Sequence, residues 1–347
     1  MQKSKLKITI FSVFFAILFI LSPSLLLTVE AKENKSISEL ELIPGGTPFG
    51  VKIASPGLMI VKFTSTKGPD ASAAYLAGMR EGDIITKVND VNVNTIDAFI
   101  NEVNKANGEN LNIVALRNNK EMDFIVKPKY SKDDGRYKTG IWVKDSTTGI
   151  GTITFINPEN SSFGGLGHAI CDSISGRIVP LSKGIVMDVN INGVIKGQSG
   201  AAGELKGAFL SRKIGTLTKN CQAGVFGIIS NDKACGKETV KVCPKEELKP
   251  GDAYILTTLD GNTPQKYKIK IYDIDQSNSS TKNFKIKVTD PELIKKTGGI
   301  VQGMSGSPII QNGRLVGAVT HVLINDPTSG YGIFIENMLN SMPEILK

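Results

Sequence analysis

Cysteine is scarce in this chain of 347 residues, with only Cys171, Cys221, Cys235 and Cys243. Four are too few to staple a disulfide scaffold, although Cys221, Cys235 and Cys243 lie close enough in sequence for one or two bridges after export. His168-x-x-Cys171 with the later cysteines has no paired Cys-x-x-Cys or His-x-x-x-His spacing, so no metal site is expected. No cofactor is expected either. Aromatic residues make up 6% of the chain and no basic block is interleaved with them. The lysines are spread out, as in Lys295-Lys296 or Lys266, Lys268 and Lys270, which argues against nucleic-acid binding. Histidine occurs only twice, as His168 and His321, so any search for an imidazole base is short.

The length suggests about two domains plus extras, and 40% hydrophobic with 21% charged residues is the balance of a globular chain with a real core. Net charge is +8, which favours an anionic membrane surface over other anionic partners. Lys3, Lys5 and Lys7 precede an uncharged stretch from Ile8 to Val29. A positive head before an apolar run of that length predicts a signal peptide or a membrane anchor over residues 1–31. Both remain open at Val29-Glu30-Ala31. Either way the positive-inside rule sends the rest of the chain across the membrane. Residues 32–42 are polar and charged, an expected exposed tether.

A small α+β domain is expected over residues 43–129. Gly78 suits a helix C-cap and Gly82-Asp83 a turn, after which Ile84, Ile85 and Val88 feed a strand. Ile96, Phe99, Ile100 and Val103 recur at helical spacing behind a cap at Asn94, Thr95 or Asp97. Leu111, Ile113, Ala115 and then Met122, Phe124, Val126 alternate as two strands around Asn118-Asn119. The run Ala77-Gly78-Met79-Arg80-Glu81-Gly82-Asp83-Ile84-Ile85 followed by Val88-Asn89-Asp90 resembles the PDZ domain. That resemblance implies an extended peptide added to a sheet edge, its terminal carboxylate held in a backbone nest at Thr47-Pro48-Phe49-Gly50.

Residues 130–138 are a charged linker. From 139 to 347 short β-like runs alternate with glycine, among them Gly149–Phe155, Gly184–Met187, Gly224–Ile229 and Gly317–Thr320. Many short strands with Gly-rich turns predict a barrel or sandwich, with Ile335–Leu346 the one helical stretch. Within this region Gly303-Met304-Ser305-Gly306-Ser307-Pro308 places a serine between glycines on a tight turn. There the hydroxyl is bare, and the N–H groups of Gly303 and Ser305 can converge on an oxyanion. Ser307 is a rival, less well framed because Pro308 follows it. His168 sits in the glycine-rich Phe163–Ile170 turn and suits the role of general base; His321, in an alternating strand, suits packing or a cleft wall. The residue orienting the imidazole is open among Asp290, Asp172, Asp188 and Asp326.

Gly-Xaa-Ser-Gly-Xaa-Pro is the pattern around the nucleophile of chymotrypsin-like serine peptidases. Beyond it, the order of export signal, PDZ domain, Gly165-Leu166-Gly167-His168-Ala169-Ile170 and Asp290 through Ser305 to Ile309 resembles the stage IV sporulation protein B (SpoIVB) serine peptidases of endospore-forming bacteria. The resemblance covers nearly the whole chain. It implies a mainly β protein: an N-terminal membrane segment, a small α+β PDZ domain, then a peptidase domain of the chymotrypsin-like double-barrel type. It implies Ser305, His168 and Asp290 as a catalytic triad. It further implies release into the forespore intermembrane space, self-cleavage, and cleavage of a membrane-bound regulator of a site-2-type metalloprotease that processes a sigma factor precursor. Met304 stands where zymogen-type relatives carry an aspartate, so no activation by a buried N-terminal ion pair is expected. Two other readings use the same residues: a PDZ-containing Ser/Lys peptidase and a non-catalytic secreted PDZ scaffold.

Overall fold

The computed structural model describes residues 36–68, 70–277 and 281–346. The expected membrane segment at 1–31 and residues 32–35 of the tether lie outside them. Among the described residues no helix is long and apolar enough to cross a membrane. All four cysteines are free thiols.

Two long strands organise the first two-thirds of the molecule. After the short β1 (Glu41–Pro44), β2 (Pro48–Phe63) runs for 16 residues, and both its ends are buried. The PDZ elements follow: a helical turn Ala73–Leu76, β3 (Ile84–Val88), β4 (Val91–Asn92), the helix Ile96–Lys105, β5 (Leu111–Arg117) and β6 (Lys120–Val126). Gly78 takes the left-handed conformation after the first helical turn, and Thr95 caps the second helix by accepting from Ala98 N at 3.2 Å. Asn118 and Asn119 both have positive φ, the geometry a two-residue hairpin between β5 and β6 requires. Leu58, Ile60, Met79, Ile85, Val88, Phe99, Val103, Ile113 and Val126 form this domain's core.

A small ribbon of β7 (Lys129–Ser131) and β8 (Arg136–Lys138) leads into the second long strand, β9 (Ile141–Ile156). β9 is antiparallel to β2 over the full span of β2, pairing Phe63 with Ile141 at one end and Pro48 with Thr152 at the other. Four residues lie between Ala54 and Met59 of β2 against the single Asp145 between their partners Ser146 and Lys144 of β9, so the ribbon is bulged where it passes from one domain to the other.

Beyond the bulge the ribbon belongs to a barrel. With β10 (Ser162–Gly165), β11 (Lys183–Ile195), β12 (Glu204–Cys221) and β13 (Gly224–Ile229), the pairings run β9–β10–β13–β12–β11–β2 and return to β9. Phe49, Val51, Ile53, Ile153, Phe163, Val186, Ile214 and Val225 fill it, with Phe49 edge-on to Phe163. The expected PDZ boundary at residue 43 is therefore displaced: β1 and the first half of β2 are peptidase structure, and the PDZ core begins only at Leu58.

The two-residue β14 (Val240–Lys241) pairs with β1. Then β15 (Gly251–Thr257), β16 (Gln265–Tyr272), β17 (Phe284–Val288), β18 (Pro308–Gln311), β19 (Arg314–Leu323) and β20 (Asp326–Phe334) close a second six-stranded barrel. Tyr267, Ile269, Ile271, Phe284, Ile286, Val288, Val319 and Phe334 pack inside it. Alternation is plain in β16, where Lys266, Lys268 and Lys270 face out between Tyr267, Ile269 and Ile271. A fourth apolar cluster, including Leu42, Phe155, Phe226, Ile310, Ala318 and Ile333, joins the barrels and takes in Met338 of the helix Ile335–Ser341. The strand pattern predicted a barrel or sandwich, and the double barrel is the form the family resemblance implied. The helix Pro291–Thr297 was not expected.

Candidate active site

The nucleophile turn lies between the helix Pro291–Thr297 and β18, and the other barrel holds it. Gly303 and Gly306 have φ of +95° and +92°, which only glycine adopts without strain. Three carbonyls of the turn accept hydrogen bonds from β9: Gly303 O from Thr152 Oγ1 at 2.8 Å, Ser305 O from Thr152 N at 3.0 Å, and Gly306 O from Thr154 Oγ1 at 2.8 Å. Gly306 N is bound to Val319 O at 2.8 Å. The N–H groups of Gly303 and Ser305 donate to no described residue, which leaves both for an oxyanion. Met304 is completely buried in the second barrel's core and anchors the turn from below.

Ser305 is the serine this arrangement presents. It is partly exposed, and its Oγ donates to Thr320 O at 3.0 Å. Ser307 is completely buried with its hydroxyl unpartnered, so the rival nucleophile is closed to solvent and substrate.

His168 follows two consecutive left-handed residues, Leu166 at φ +65° and Gly167 at φ +66°. A buried leucine in that region costs about 1–3 kcal/mol and persists only where its surroundings over-determine it. Here Leu166 N donates to Thr152 O at 3.2 Å and Gly167 N to Gly165 O at 2.8 Å. The turn delivers His168 to the same cavity of about 430 Å³ that Ser305 lines. His168 Nδ1 lies 2.9 Å from Ala169 O, so Nδ1–H donates there and Nε2 is left as the lone-pair nitrogen a base needs. Burial pushes its pKa below the ordinary 6.5, against the opposing pull of the Ala169 carbonyl.

No carboxylate among the described residues hydrogen-bonds to His168. Asp290 caps the helix Pro291–Thr297 instead: its Oδ1 accepts from Glu292 N and Leu293 N at 3.0 and 3.2 Å, and its Oδ2 from Lys268 N at 3.1 Å. The structure brings Ser305 and His168 together and leaves Asp290 outside their cavity. Asp-Pro-Glu before an apolar residue is a helix start with proline at N1, a local signal that competes with any catalytic reading. Asp172 is buried against Lys144 at 2.7 Å and takes the N–H groups of Ile174 and Ser175. Burial alone would raise its pKa, but these bonds outweigh it and hold the carboxyl at about 2. Asp188 pairs with Lys233, and Asp326 with Lys287 at 2.8 Å.

The second histidine lines the cavity, as one of its two expected roles required. His321 stands with its ring centroid 5.3 Å from that of His168 at a 41° tilt. Burial, then the neighbouring His168 and Lys282, push its pKa down to about 4, so it is neutral at neutral pH. The remaining lining is mostly aliphatic, including Ile150, Ile300, Val301, Val322 and Ile324, and it contains no lysine.

The expected carboxylate nest is corrected. Thr47, Pro48, Phe49 and Gly50 lie in or beside β2 within the first barrel: Thr47 O accepts from Ile153 N, Pro48 pairs with Thr152, and Phe49 is fully buried. A second cavity of about 310 Å³ lies in the PDZ domain itself, between the helix face of Ile96, Phe99, Ile100 and Val103 and the start of β9 at Ile141, Trp142 and Val143. Arg136, Lys138, Thr139 and Gly140 also line it. Gly140 has φ +77°, and a Cβ there would sit 2.9 Å from Ser72. The motif order was misleading because the groove strand follows the PDZ helices in the chain instead of preceding them.

Thr152 and Thr154 were not foreseen as site residues. The available signal was two hydroxyls inside the apolar run Thr152-Ile153-Thr154-Phe155, both of which prove to be buried.

A family model described as SpoIVB peptidase S55 matches residues 135–339, more than half of the chain, and one described as a PDZ domain matches residues 67–117. No curated protein matches the chain. Among solved structures, the active form of the Rv3671c protease from M. tuberculosis aligns at 13% identity and a TM-score of 0.34, covering 56% of this chain and 72% of that one. Its inactive form aligns at 13% identity and a TM-score of 0.33, covering 55% and 81%. With a PDZ domain built onto a double barrel whose Ser305 and His168 share one cavity, the chain belongs to the SpoIVB peptidase S55 family.

Proposed function

We propose that this serine endopeptidase works through Ser305 as nucleophile, His168 as general base and the N–H groups of Gly303 and Ser305 as oxyanion hole. The observation that carries the reading is the turn itself, with its carbonyls fixed on β9, two N–H groups unspent, and a neutral imidazole in the same cavity. Ser305 Oγ leaves its bond to Thr320 O and turns to His168 Nε2. The imidazole takes the hydroxyl proton as Oγ attacks the scissile carbonyl carbon, and the oxyanion is stabilised by the two N–H groups. His168 then returns the proton to the leaving amine, and water releases the acyl group by the same steps in reverse roles. Ala169 O supports the charged imidazolium in place of a carboxylate. A backbone carbonyl does this less strongly than an anion.

The PDZ cavity supports capture of an extended peptide along Ile141–Val143, with its carboxylate beside Arg136–Gly140. The absence of lysine from the lining gives the Ser/Lys reading nothing to use, and a scaffold would have no need of the unspent N–H pair. In the cell, the reading extends to an exported enzyme of sporulation that cleaves itself and a membrane-bound regulatory protein. The apolar run Ile8–Val29 and the polar stretch after it support export and release.

The test is to follow residues 32–347 beside Ser305→Ala by mass spectrometry. Fragments from the parent alone, with a cut in or just beyond residues 32–42, are expected. Two equally intact chains that are also inert toward peptide libraries would refute the proposal.

A further inference from the structure

We infer that Thr152 is a positioning residue that sets the oxyanion hole and locks the nucleophile turn to the base turn, a role that rests on the peptidase reading above. One residue makes three of the hydrogen bonds that define the site. Its Oγ1 donates to Gly303 O at 2.8 Å and its N to Ser305 O at 3.0 Å, so both carbonyls flanking the oxyanion N–H groups are held by it. Its O accepts from Leu166 N at 3.2 Å, which fixes the left-handed residue two positions before His168. That same carbonyl lies where a Cβ on Gly306 would come within 2.1 Å. Thr152 is 1% exposed, so no water competes for these bonds.

The peptide plane between Gly303 and Met304 carries the Gly303 carbonyl. Its tilt sets how the adjoining turn presents the Gly303 and Ser305 N–H groups. A hydroxyl donor at Thr152 pulls that carbonyl onto β9. Without it the turn keeps its backbone bond at Ser305 but loses the one at Gly303, and the two N–H groups no longer need to converge. The contribution is made where charge develops on the reacting oxygen, so it belongs to turnover and not to substrate capture. Thr154 supports the same turn one pleat further on, at Gly306 O.

The test uses an alkyl fluorophosphonate, whose phosphorus is attacked by Ser305 Oγ with formation of the O–P bond, departure of fluoride and transfer of the hydroxyl proton to His168. Thr152→Val keeps the shape and removes the donor; Thr152→Ser keeps the donor. The expected result is a fall of about 10- to 100-fold in the maximal labelling rate of Thr152→Val with its half-saturating concentration unchanged. Thr152→Ser should restore the rate to within about threefold, and both should melt within a few degrees of the parent. Should valine at 152 fail to fold, Thr152→Cys, with a feeble donor of similar size, takes its place with the same expected loss. A labelled parent with an unaffected Thr152→Val, or with serine as impaired as valine, overturns the role of Thr152 alone. A parent no more reactive than Ser305→Ala overturns the peptidase reading and this inference with it.

Discussion

Gly306 offers a way to separate backbone conformation from crowding at the catalytic turn. A Cβ at this position would meet Thr152 O at 2.1 Å and Leu166 N at 2.4 Å, both backbone atoms that cannot rotate away. Gly313, in the hairpin after β18, has a similar φ of +76° but nothing within 4 Å of its Cβ direction. Gly313→Ala therefore carries only the left-handed cost, about 1–2 kcal/mol. Gly306→Ala carries that cost and an overpacking term of about 1–3 kcal/mol, for a total of about 2–5 kcal/mol. The displaced atoms belong to the base turn and to the strand that holds the nucleophile turn, so activity should suffer out of proportion to stability. Denaturant melts of the two variants followed by circular dichroism give the stability difference, and fluorophosphonate labelling gives the activity. The expected outcome is a Gly306→Ala protein at least about 1 kcal/mol less stable than Gly313→Ala and labelled at least about 100-fold more slowly. If the two variants melt alike, or if Gly306→Ala is labelled at the parental rate, the contact between the two turns is not what this packing implies.

Asp290→Ala should cost about 1 kcal/mol through loss of the helix cap while leaving turnover within a fewfold of the parent. A loss of several orders in kcat with an unshifted melt would instead return Asp290 to a catalytic triad. For the pH profile, His168 must be neutral to act, and burial lowers its pKa from 6.5. The acid limb of kcat/KM is thus expected to fall with a midpoint below 6.5, and a midpoint at or above that value would refute His168 as a buried base.

Local chemistry reached the two catalytic turns because each is written in a few adjacent residues. Gly303, Ser305 and Gly306 state a tight turn with a bare hydroxyl, and Gly167-His168 states a second; neither depends on what lies across the molecule. The PDZ core was legible for the same reason, since Met79, Ile85, Val88 and Phe99 follow the periods of one short helix, one strand and the next helix. The alternating lysines of β16 announced a strand with one face outward. Asp290 misled because two local signals coincide there: an acid near a nucleophile in sequence, and an acid before proline at a helix start. The cap formed because its partners, Glu292 N and Leu293 N, are two and three residues away.

Tertiary structure alone decided what holds those turns and where the peptide groove lies. Thr152 meets Gly303 across 151 positions and Thr154 meets Gly306 across 152. No periodicity in the chain encodes such a pairing, since it follows only from the closure of two barrels around one interface. The Thr47–Gly50 segment lies inside the first barrel because β2 continues from one domain into the other, with a bulge after Ala54 at the passage. Composition and local pattern reached the strand-rich class and singled out Ser305 and His168 as the proposed nucleophile and base. The sheet's closure, a matter of long-range register, determined how they are aimed.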